Sequence, residues 1–292
     1  MSHFVDIHTH AHFSAYKDDW RAVIERALAQ DVWLVNVGTQ CDTSQKAVEI
    51  AHLFPAGVFA AVGLHPVHTS QSFHDIQELG DEAMARGFTS RGEICDPEYY
   101  LQLAGDPKVV AIGECGLDYY YGSRLPAGKA GNTDHGTFLE EQRKQKEAFV
   151  TQIELAQKAA KPLMLHCREA FADMIAILRD HREKLLSAAG AAHFFTGSAE
   201  DAAALLDLGF AFTFGGVVTF ARSYDEIIRR LPLDSILSET DAPYVTPEPY
   251  RGQRNEPAYV VEVVRKLAEL RGLSEERMKE QIFANAQRVF RL

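Results

Sequence analysis

Short apolar runs alternate with longer amphipathic segments along nearly the whole chain. The short runs are rich in β-branched and aromatic residues, which favour strands, and the longer segments repeat apolar residues at helical spacing. Eight short runs are present: Phe4–Ile7, Val32–Val37, Val58–Val62, Val109–Ile112, Leu163–Leu165, Ala191–Phe195, Phe210–Phe214 and Ile236–Leu237. The predicted helices include Trp20–Ala29, Gln142–Ala159, Ala170–Ser187, Glu200–Leu208, Tyr224–Leu231, Glu256–Arg271 and a last one near Glu275–Phe290.

This alternation predicts parallel strands joined by helical crossovers. Eight such units predict an α/β fold, a (β/α)₈ TIM barrel, with an open doubly wound sheet as the alternative. A chain of 292 residues fits one barrel, so we expect a single domain over residues 1–292.

Two stretches interrupt the rhythm. The segment His68–Asp106 is long for one crossover, and Tyr121–Gly136 is rich in Gly, Pro and Asn with little apolar content. The second stretch has the composition of a loop after the fourth strand, at the barrel end where active sites lie. Two interpretations remain open for it, a lid that contacts substrate and a plain surface insertion.

The composition is that of a globular protein, with 46% hydrophobic and 24% charged residues. We expect a cytoplasmic protein without membrane segments, because no apolar run approaches the ~20 residues that span a bilayer and no signal peptide is visible. Four cysteines without close paired spacing fit a reducing compartment. We expect a monomer, since no exposed apolar stripe stands out.

A formal net charge of −11 argues against broad, non-specific nucleic-acid binding but does not exclude a phosphate substrate.

The first strand ends in the sequence Asp6-Ile7-His8-Thr9-His10. Because side chains alternate between the faces of a strand, His8 and His10 point to the same side. Paired imidazoles are suitable ligands for a divalent metal ion, although a chance cluster of histidines near the start is the competing interpretation.

Further polar groups stand at the ends of later strands. They are His65 after the third run, Glu114, Asp118 and Tyr119 after the fourth, His166 and Arg168 after the fifth, His193 within the sixth and Asp241 after the eighth. A barrel brings its strand ends to one rim, and buried charged groups need partners there. A glutamate can bridge two ions, histidines and an aspartate can complete two sites, and two ions about 3.5–4 Å apart support hydrolysis. An aspartate at such a rim can orient the attacking water and accept its proton.

The motifs together resemble the TatD family of metal-dependent deoxyribonucleases, within the wider amidohydrolase-like superfamily. The matching pieces span nearly the whole chain in the family's order: DIHTHAHF, AVGLHP, AIGECGLDYY, EEQRKQKEAFVTQIELAQKAAKPLMLHCREA, HFFTG, SETDAPYVTP, RNEP and FANAQRVF. GECGLDYY and ETDAPY are specific signals, whereas HTH alone is weak.

The resemblance implies a barrel with a binuclear metal centre. It implies that His8 and His10 hold one ion, that Glu114 bridges two ions, and that His166 and His193 hold the other, with Asp241 beside the first pair as general base. It also places His65 near the scissile phosphate, as a contact or an acid. Related amidohydrolases often bridge the metals with a carbamylated lysine, whose place Glu114 takes here. The stretches His68–Asp106 and Tyr121–Gly136 look longer than is usual in the family, which leaves the choice of substrate open.

Other roles come from the residues alone. Arg168 lies two residues past His166 and could pair with a phosphate or with a carboxylate, and Asp118 and Tyr119 could position substrate. Tyr119 could equally belong to a packed aromatic loop. The segment 254–256 either caps the last helices or reaches the rim. The remaining histidines are expected at the surface or in packing. His12 is set apart from them because it continues the spacing of His8 and His10, and it is expected to lie past the strand, in the loop.

The sequence thus predicts a two-metal phosphodiesterase, a deoxyribonuclease that trims short single-stranded DNA ends from 3′ to 5′. Mg²⁺ or Mn²⁺ suits an oxygen substrate and Zn²⁺ suits the histidines. Hydrolysis of another bond, in an aminoacyl-tRNA ester, an amide or a lactone, is the alternative, and a non-catalytic binding scaffold is a third possibility.

Overall fold

The barrel is built from eight parallel strands. The computed structural model describes residues 2–71, 73–74, 88–120 and 135–292. The strands follow the order β1-β2-β3-β6-β7-β8-β9-β10, each hydrogen-bonded to its neighbours. Their bounds are β1 Phe4–Thr9, β2 Val32–Val37, β3 Val58–Val62, β6 Val109–Asp118, β7 Leu163–Arg168, β8 Gly190–Ala192, β9 Phe210–Phe214 and β10 Ile236–Ser238.

Hydrogen bonds between the chain around β10 and β1 bring the last strand against the first. Ser238 Oγ donates to Val5 O over 2.6 Å, and the Asp241 backbone N–H donates to His8 O over 2.9 Å. The backbone N–H of His10 donates to Ala242 O over 2.8 Å. The sheet is therefore a nearly closed barrel, so the predicted TIM-barrel fold is confirmed and the open doubly wound sheet is wrong.

Helices cover the outside of this barrel. They are α1 Trp20–Ala29, α2 Cys41–His52, α3 Pro97–Ala104, α4 His135–Ala159, α5 Phe171–Asp180, α6 Ala199–Asp207, α7 Asp225–Arg230, α8 Val260–Arg271 and α9 Glu275–Phe290. Helix α8 shows how the sequence fixes packing, because it buries Val260, Val263, Val264 and Leu267, which form one face at helical spacing. None of the helices in the described part of the chain combines the length and apolar character that crossing a membrane requires.

The predicted element bounds differ from the structure mainly at strand ends. Strand β6 continues to Asp118, six residues past the predicted end at Ile112, so the motif GECGLD lies inside a strand. Strand β8 ends at Ala192, one residue before His193, and helix α5 ends at Asp180 rather than Ser187. Residues 113–117 of β6 are buried although they include two glycines and Glu114, and Cys115 to Asp118 pair with β7, so apolar content alone understates the length of this strand.

The long crossover after β3 contains its own elements. It holds a 3₁₀ turn, Pro66–Thr69, an antiparallel ribbon of β4 Phe73–His74 with β5 Phe88–Thr89, and helix α3. The Asp96 carboxylate caps α3 by accepting from the backbone N–H of Glu98. The predicted loop Tyr121–Gly136 falls almost entirely on residues 121–134, outside the described residues, so its possible role as a lid remains an expectation.

Candidate metal centre

Glu114 on β6 lies at the centre of a cluster of histidines. Its Oε2 is 3.4 Å from Nε2 of His8 and 3.8 Å from Nε2 of His10. Its Oε1 is 2.8 Å from Nδ1 of His166 and 2.9 Å from Nε2 of His193. One carboxylate oxygen therefore faces the two histidines at the end of β1, and the other faces His166 within β7 and His193 just after β8.

Asp241 and His65 complete the cluster from opposite sides. Asp241 Oδ1 is 3.4 Å from Nε2 of His10 and 3.8 Å from Nε2 of His8. His65 Nε2 is 3.3 Å from Glu114 Oε1. The structure thus brings together all the side chains expected as ligands, and it places Asp241 beside the first histidine pair.

Gly116 explains how β7 comes close enough to supply His166. Its φ is +139°, and a Cβ there would lie 2.0 Å from His166 O, on the paired strand. A side chain at this position would therefore push β7 away from β6 and move His166 from Glu114. Gly116, the second glycine of GECGLD, is thus required by the geometry of the cluster.

The Glu114 carboxylate is ionised despite its burial. Burial alone would raise the pKa of Glu114, but the surrounding imidazoles, His65 first and then His193 and His8, outweigh it and hold that pKa well below its ordinary value. Burial and the nearby His193 lower the pKa of His8. The cluster therefore contains a charged carboxylate whose field attracts cations, whether protons or metal ions.

In two of the ligand histidines, the ring nitrogen that faces away from Glu114 is hydrogen-bonded, and this fixes which nitrogen can offer a lone pair to a metal ion. His10 Nδ1 lies 2.8 Å from Val37 O, and His166 Nε2 lies 2.8 Å from Asp118 Oδ2. Since both acceptors lack a proton, these ring nitrogens are the donors, and a neutral ring then presents its other nitrogen to the cluster as a lone pair. Glu239 Oε2 lies 3.4 Å from His193 Nδ1, an electrostatic contact rather than an aligned hydrogen bond, and favours the same arrangement there.

His65 is oriented the other way. Its Nδ1 accepts a hydrogen bond from the backbone N–H of Val67 over 3.2 Å. Burial lowers the pKa of His65, so the neutral ring must carry its proton on Nε2, the nitrogen that faces Glu114. His65 is therefore a hydrogen-bond donor toward the cluster, in contrast to His10 and His166.

These donors fit divalent cations. Nε2 of His8 and Nε2 of His10 lie 3.2 Å apart, so two inward lone pairs would repel each other unless a cation lay between them. Three overlapping groups of side chains have ligand atoms close enough to hold one metal ion: His8 with His10 and Glu114, His65 with Glu114 and His166, and His8 with His193 and Glu239. In the second group the proton on Nε2 of His65 opposes ligation, so Glu114 and His166 are the ligands that this group offers. Mixed imidazole and carboxylate donors suit Zn²⁺ and Mn²⁺.

The residues expected to contact substrate are placed differently from the ligands. Asp118 pairs with His166, a contact that orients this ring. The Tyr119 hydroxyl donates to Asp173 Oδ2 over 2.9 Å, which fits the packed-aromatic alternative better than a base-stacking role. The guanidinium carbon of Arg168 lies 3.3 Å from the centre of the Tyr120 ring.

His12 lies past β1, which ends at Thr9, as the sequence predicted, and it is buried there. Its Nδ1 lies 3.4 Å from Asn36 Oδ1, and burial, together with the nearby His10, lowers its pKa to about 3. His12 is thus a neutral packing residue beneath the cluster.

Two buried carboxylates behind the cluster escaped the sequence argument. Glu239 accepts from Thr213 Oγ1 over 2.5 Å and from the backbone N–H of Phe194 over 2.9 Å. Asp6 accepts from the backbone N–H and the hydroxyl of Thr240 over 2.8 and 2.5 Å. Glu239 could have been found, because it lies two residues before Asp241 and directly follows an apolar strand.

We expect the affinity for divalent metal to rise with pH. Burial would lower the pKa of His166 and of His193, but hydrogen bonding to Asp118 at His166, and the charge of Glu114 at His193, raise both instead. A metal ion must displace these protons before it can bind. For each proton displaced, the affinity for metal should fall about tenfold for every pH unit below the pKa of that histidine.

Calorimetric titration with Mn²⁺ from about pH 6 to about pH 9, in buffers of different ionisation enthalpy, would count the protons released. A His181→Gln variant, altered at the residue that follows helix α5 on the outside of the barrel, serves as the control and should behave as wild type. An affinity that did not change over this range would contradict the protonated state inferred for His166 and His193.

The chain is similar to known proteins over nearly its whole length. The family model described as "TatD related DNase" matches residues 5–291. A protein of Bacillus subtilis named "uncharacterized metal-dependent hydrolase YabD" is 36% identical over 289 residues, covering 97% of this chain and 98% of that protein. A protein of Pantoea vagans named "3'-5' ssDNA/RNA exonuclease TatD" is 32% identical over 295 residues, covering 98% and 99%.

The fold is also similar to that of a solved structure. The crystal structure of YJJV, a TatD homologue from Escherichia coli, superposes with a TM-score of 0.76 at 26% identity and covers 99% of this chain and 98% of its own.

Proposed function

Because this chain belongs to the TatD-related DNase family of metal-dependent hydrolases, we propose that it is a two-metal phosphodiesterase that shortens single-stranded DNA from the 3′ end. One observation carries the proposal. The two oxygens of Glu114 face two separate histidine pairs, at 3.4 Å from His8 on one side and at 2.8 Å from His166 on the other. A single buried carboxylate between two donor sets is what a bridged pair of ions requires.

The residues divide into two donor sets. His8, His10 and Asp241 would hold one ion, His166 and His193 would hold the other, and Glu114 would belong to both. Bound divalent ions would supply positive charge to a phosphodiester and lower the pKa of a water molecule. Mn²⁺, Mg²⁺ and Zn²⁺ all remain open, since the donor set mixes carboxylates with imidazoles.

Asp241 is the residue best placed to take a proton. Its side chain is 17% exposed, against 4% for Glu114, so water reaches it from the rim. Burial would raise the pKa of Asp241, but the hydrogen bond to His10 and the nearby histidines outweigh it and lower that pKa. Asp241 is therefore ionised near neutral pH, and as a general base it would orient the attacking water and accept its proton.

His65 would act as a donor rather than a ligand, because its Nε2 carries the proton. That N–H could bind a phosphate oxygen or protonate the leaving oxygen. We expect His65→Ala to keep its full metal content and to lose about 10²-fold in kcat/KM. Metal analysis and steady-state kinetics would test this, with His181→Gln as the control, and loss of one metal from His65→Ala would make His65 a ligand instead.

The nature of the substrate rests on the relatives and on charge. Proteins of Pantoea vagans and of Dickeya dadantii that resemble this chain carry the name "3'-5' ssDNA/RNA exonuclease TatD". A net charge of −11 disfavours long contacts with a duplex and favours a short single-stranded end held locally. Arg168 is a candidate phosphate contact beside His166, and Asp118 and Tyr119 would support it by fixing the neighbouring side chains.

A panel of substrates tests the proposal against hydrolysis of another bond. Wild-type protein loaded with Mn²⁺ would be offered a single-stranded oligonucleotide, a 4-nitrophenyl ester, an anilide, a lactone and an aminoacyl-tRNA. We expect turnover of the oligonucleotide alone. Turnover of an ester, amide or lactone without turnover of the oligonucleotide would overturn the phosphodiesterase assignment and keep the hydrolytic centre.

We also infer that residues 1–292 form one hydrolase domain, which the match of the family model over residues 5–291 supports. A cytosolic location is in keeping with four cysteines that form no disulfide: Cys41, Cys95, Cys115 and Cys167. The monomeric state expected from the sequence stays a prediction.

A further inference from the structure

The turn that carries Asp241, residues 240–244, has an unusual backbone. Asp241 has φ +52° and Val245, directly after the turn, has φ +48°, both in the left-handed region that side chains other than glycine rarely adopt. Such conformations persist only where the surroundings hold them. The carboxylate of Asp241 points at His8 and His10 only while this turn keeps its shape.

Asn255 holds the two peptides that lead into these residues. Its Nδ2 donates to Thr240 O over 2.9 Å and to Tyr244 O over 2.6 Å, the carbonyls that immediately precede Asp241 and Val245. Its Oδ1 accepts from the backbone N–H of Glu256 over 2.9 Å. Both N–H groups of the amide are thus used on the turn, and the side chain is completely buried.

The segment that contains Asn255 is itself fixed to the loop after β1 and to helix α1. Arg254 pairs with Asp19 at 2.5 Å, and Glu256 pairs with Arg26 at 2.7 Å. The Tyr16 hydroxyl donates to Asn255 O. Asn255 therefore connects the loop that follows His8 and His10 with the turn that carries Asp241, across the point where the barrel closes.

We propose that Asn255 is a positioning residue that aims Asp241 at His8 and His10 by holding the 240–244 turn. The inference rests on the proposed function, in which Asp241 shares an ion with these two histidines. It also bears on the two alternatives that the sequence left open for residues 254–256. Glu256 stands at the N-cap position of the Pro257–Tyr259 turn before α8 but makes no side-chain capping hydrogen bond there, and under this proposal the segment acts on the rim through the backbone of the 240–244 turn.

The isosteric variant Asn255→Asp tests this, because a carboxylate has the same shape but cannot donate to either carbonyl. Asn255→Ser, which keeps one donor and adds no buried charge, serves as a second variant should the first fold poorly. Tyr16→Phe is the matched control, since it removes a hydrogen bond to the backbone of Asn255 and leaves the side-chain amide in place.

Two readouts separate positioning from plain structural support. Hydrogen exchange of the metal-free protein would follow the amides of Asp241 and Tyr244, whose N–H groups donate to His8 O and Asp241 O over 2.9 Å. Calorimetry with Mn²⁺ alone would give the affinity of each site. In both Asn255 variants, and not in Tyr16→Phe, we expect faster exchange of both amides and a tenfold to hundredfold weaker affinity of one site for Mn²⁺. This range is typical of losing a residue that orients a metal ligand without binding the metal itself.

The proposal is overturned if the Asn255 variants bind two Mn²⁺ ions with wild-type affinity and keep the protection of these amides, even when their thermal stability falls. A wild-type protein that bound no metal would be a failure of the proposed function instead. In that case the exchange data on the metal-free protein alone would decide whether Asn255 holds the turn.

Discussion

Glu114→Ala is expected to lose both metal ions and at least about 10³-fold of the hydrolytic rate, while the barrel stays folded. The rate estimate follows because several kcal/mol of transition-state charge stabilisation disappear with the ions. Glu114 lies within 3.8 Å of five histidines and belongs to two of the three groups of side chains that could hold a metal ion.

The fold should survive because the histidines around Glu114 are protonated mainly in response to its charge, so they can become neutral when Glu114 is removed and leave no unpaired buried charge. The charge of Glu114 is the leading cause that raises the pKa of His193, so without it this ring can remain neutral in its buried position. Elemental analysis, circular dichroism and kinetics would be measured together. Glu200→Ala, at an exposed position in the first turn of α6, is the control and should match wild type. Full activity of Glu114→Ala would refute the binuclear centre.

Asp241→Asn is expected to lower kcat by about 10²–10⁴-fold and to retain the ion between His166 and His193. The amide keeps the shape of the side chain and can still present an oxygen to His10, but it cannot accept a proton from water. The contacts of Glu114 with the second histidine pair do not involve Asp241, so that donor set stays complete.

The pH dependence separates the two possible roles of Asp241. The lowered pKa of Asp241 predicts that wild-type activity falls at acidic pH as this carboxylate takes up a proton. Metal binding also weakens at low pH, so activity is measured with enough metal to saturate both sites at each pH; under that condition the fall should be absent from the residual activity of Asp241→Asn. Asp207→Asn, at a carboxylate that pairs with Arg182 on the surface, is the control. Loss of both ions from Asp241→Asn would show that ligation, and not proton transfer, is its main task.

Much of the fold could be predicted because the barrel strands are marked by their own apolar residues. Runs such as Val32–Val37 and Val58–Val62 coincide with β2 and β3. Strand β6 could not be bounded in this way, since Gly116 has no side chain and Asp118 is polar, and both are held by pairing with β7, which is remote in sequence. Local composition does not report such pairing.

The candidate site followed the same rule. His8, His10, Glu114 and Asp241 could be found because each follows or ends an apolar run, and parallel strands bring such positions to one rim. The tasks of Asp118, Tyr119 and Asn255 could not, because they depend on which partner the side chain meets. Asp118 meets His166, Tyr119 meets Asp173, and the partners of Asn255 lie 11 and 15 residues earlier, in a turn whose left-handed residue is not glycine.

The most direct test of the two-metal phosphodiesterase is degradation of single-stranded DNA labelled at the 3′ end or at the 5′ end. The protein would be stripped with chelator and then supplied with Mg²⁺, Mn²⁺ or Zn²⁺. We predict no cleavage in chelator and, with metal restored, early loss of the 3′ label and a descending ladder of 5′-labelled products, both absent in Asp241→Asn. Intact DNA under every metal, from protein shown to hold two ions, would contradict the account.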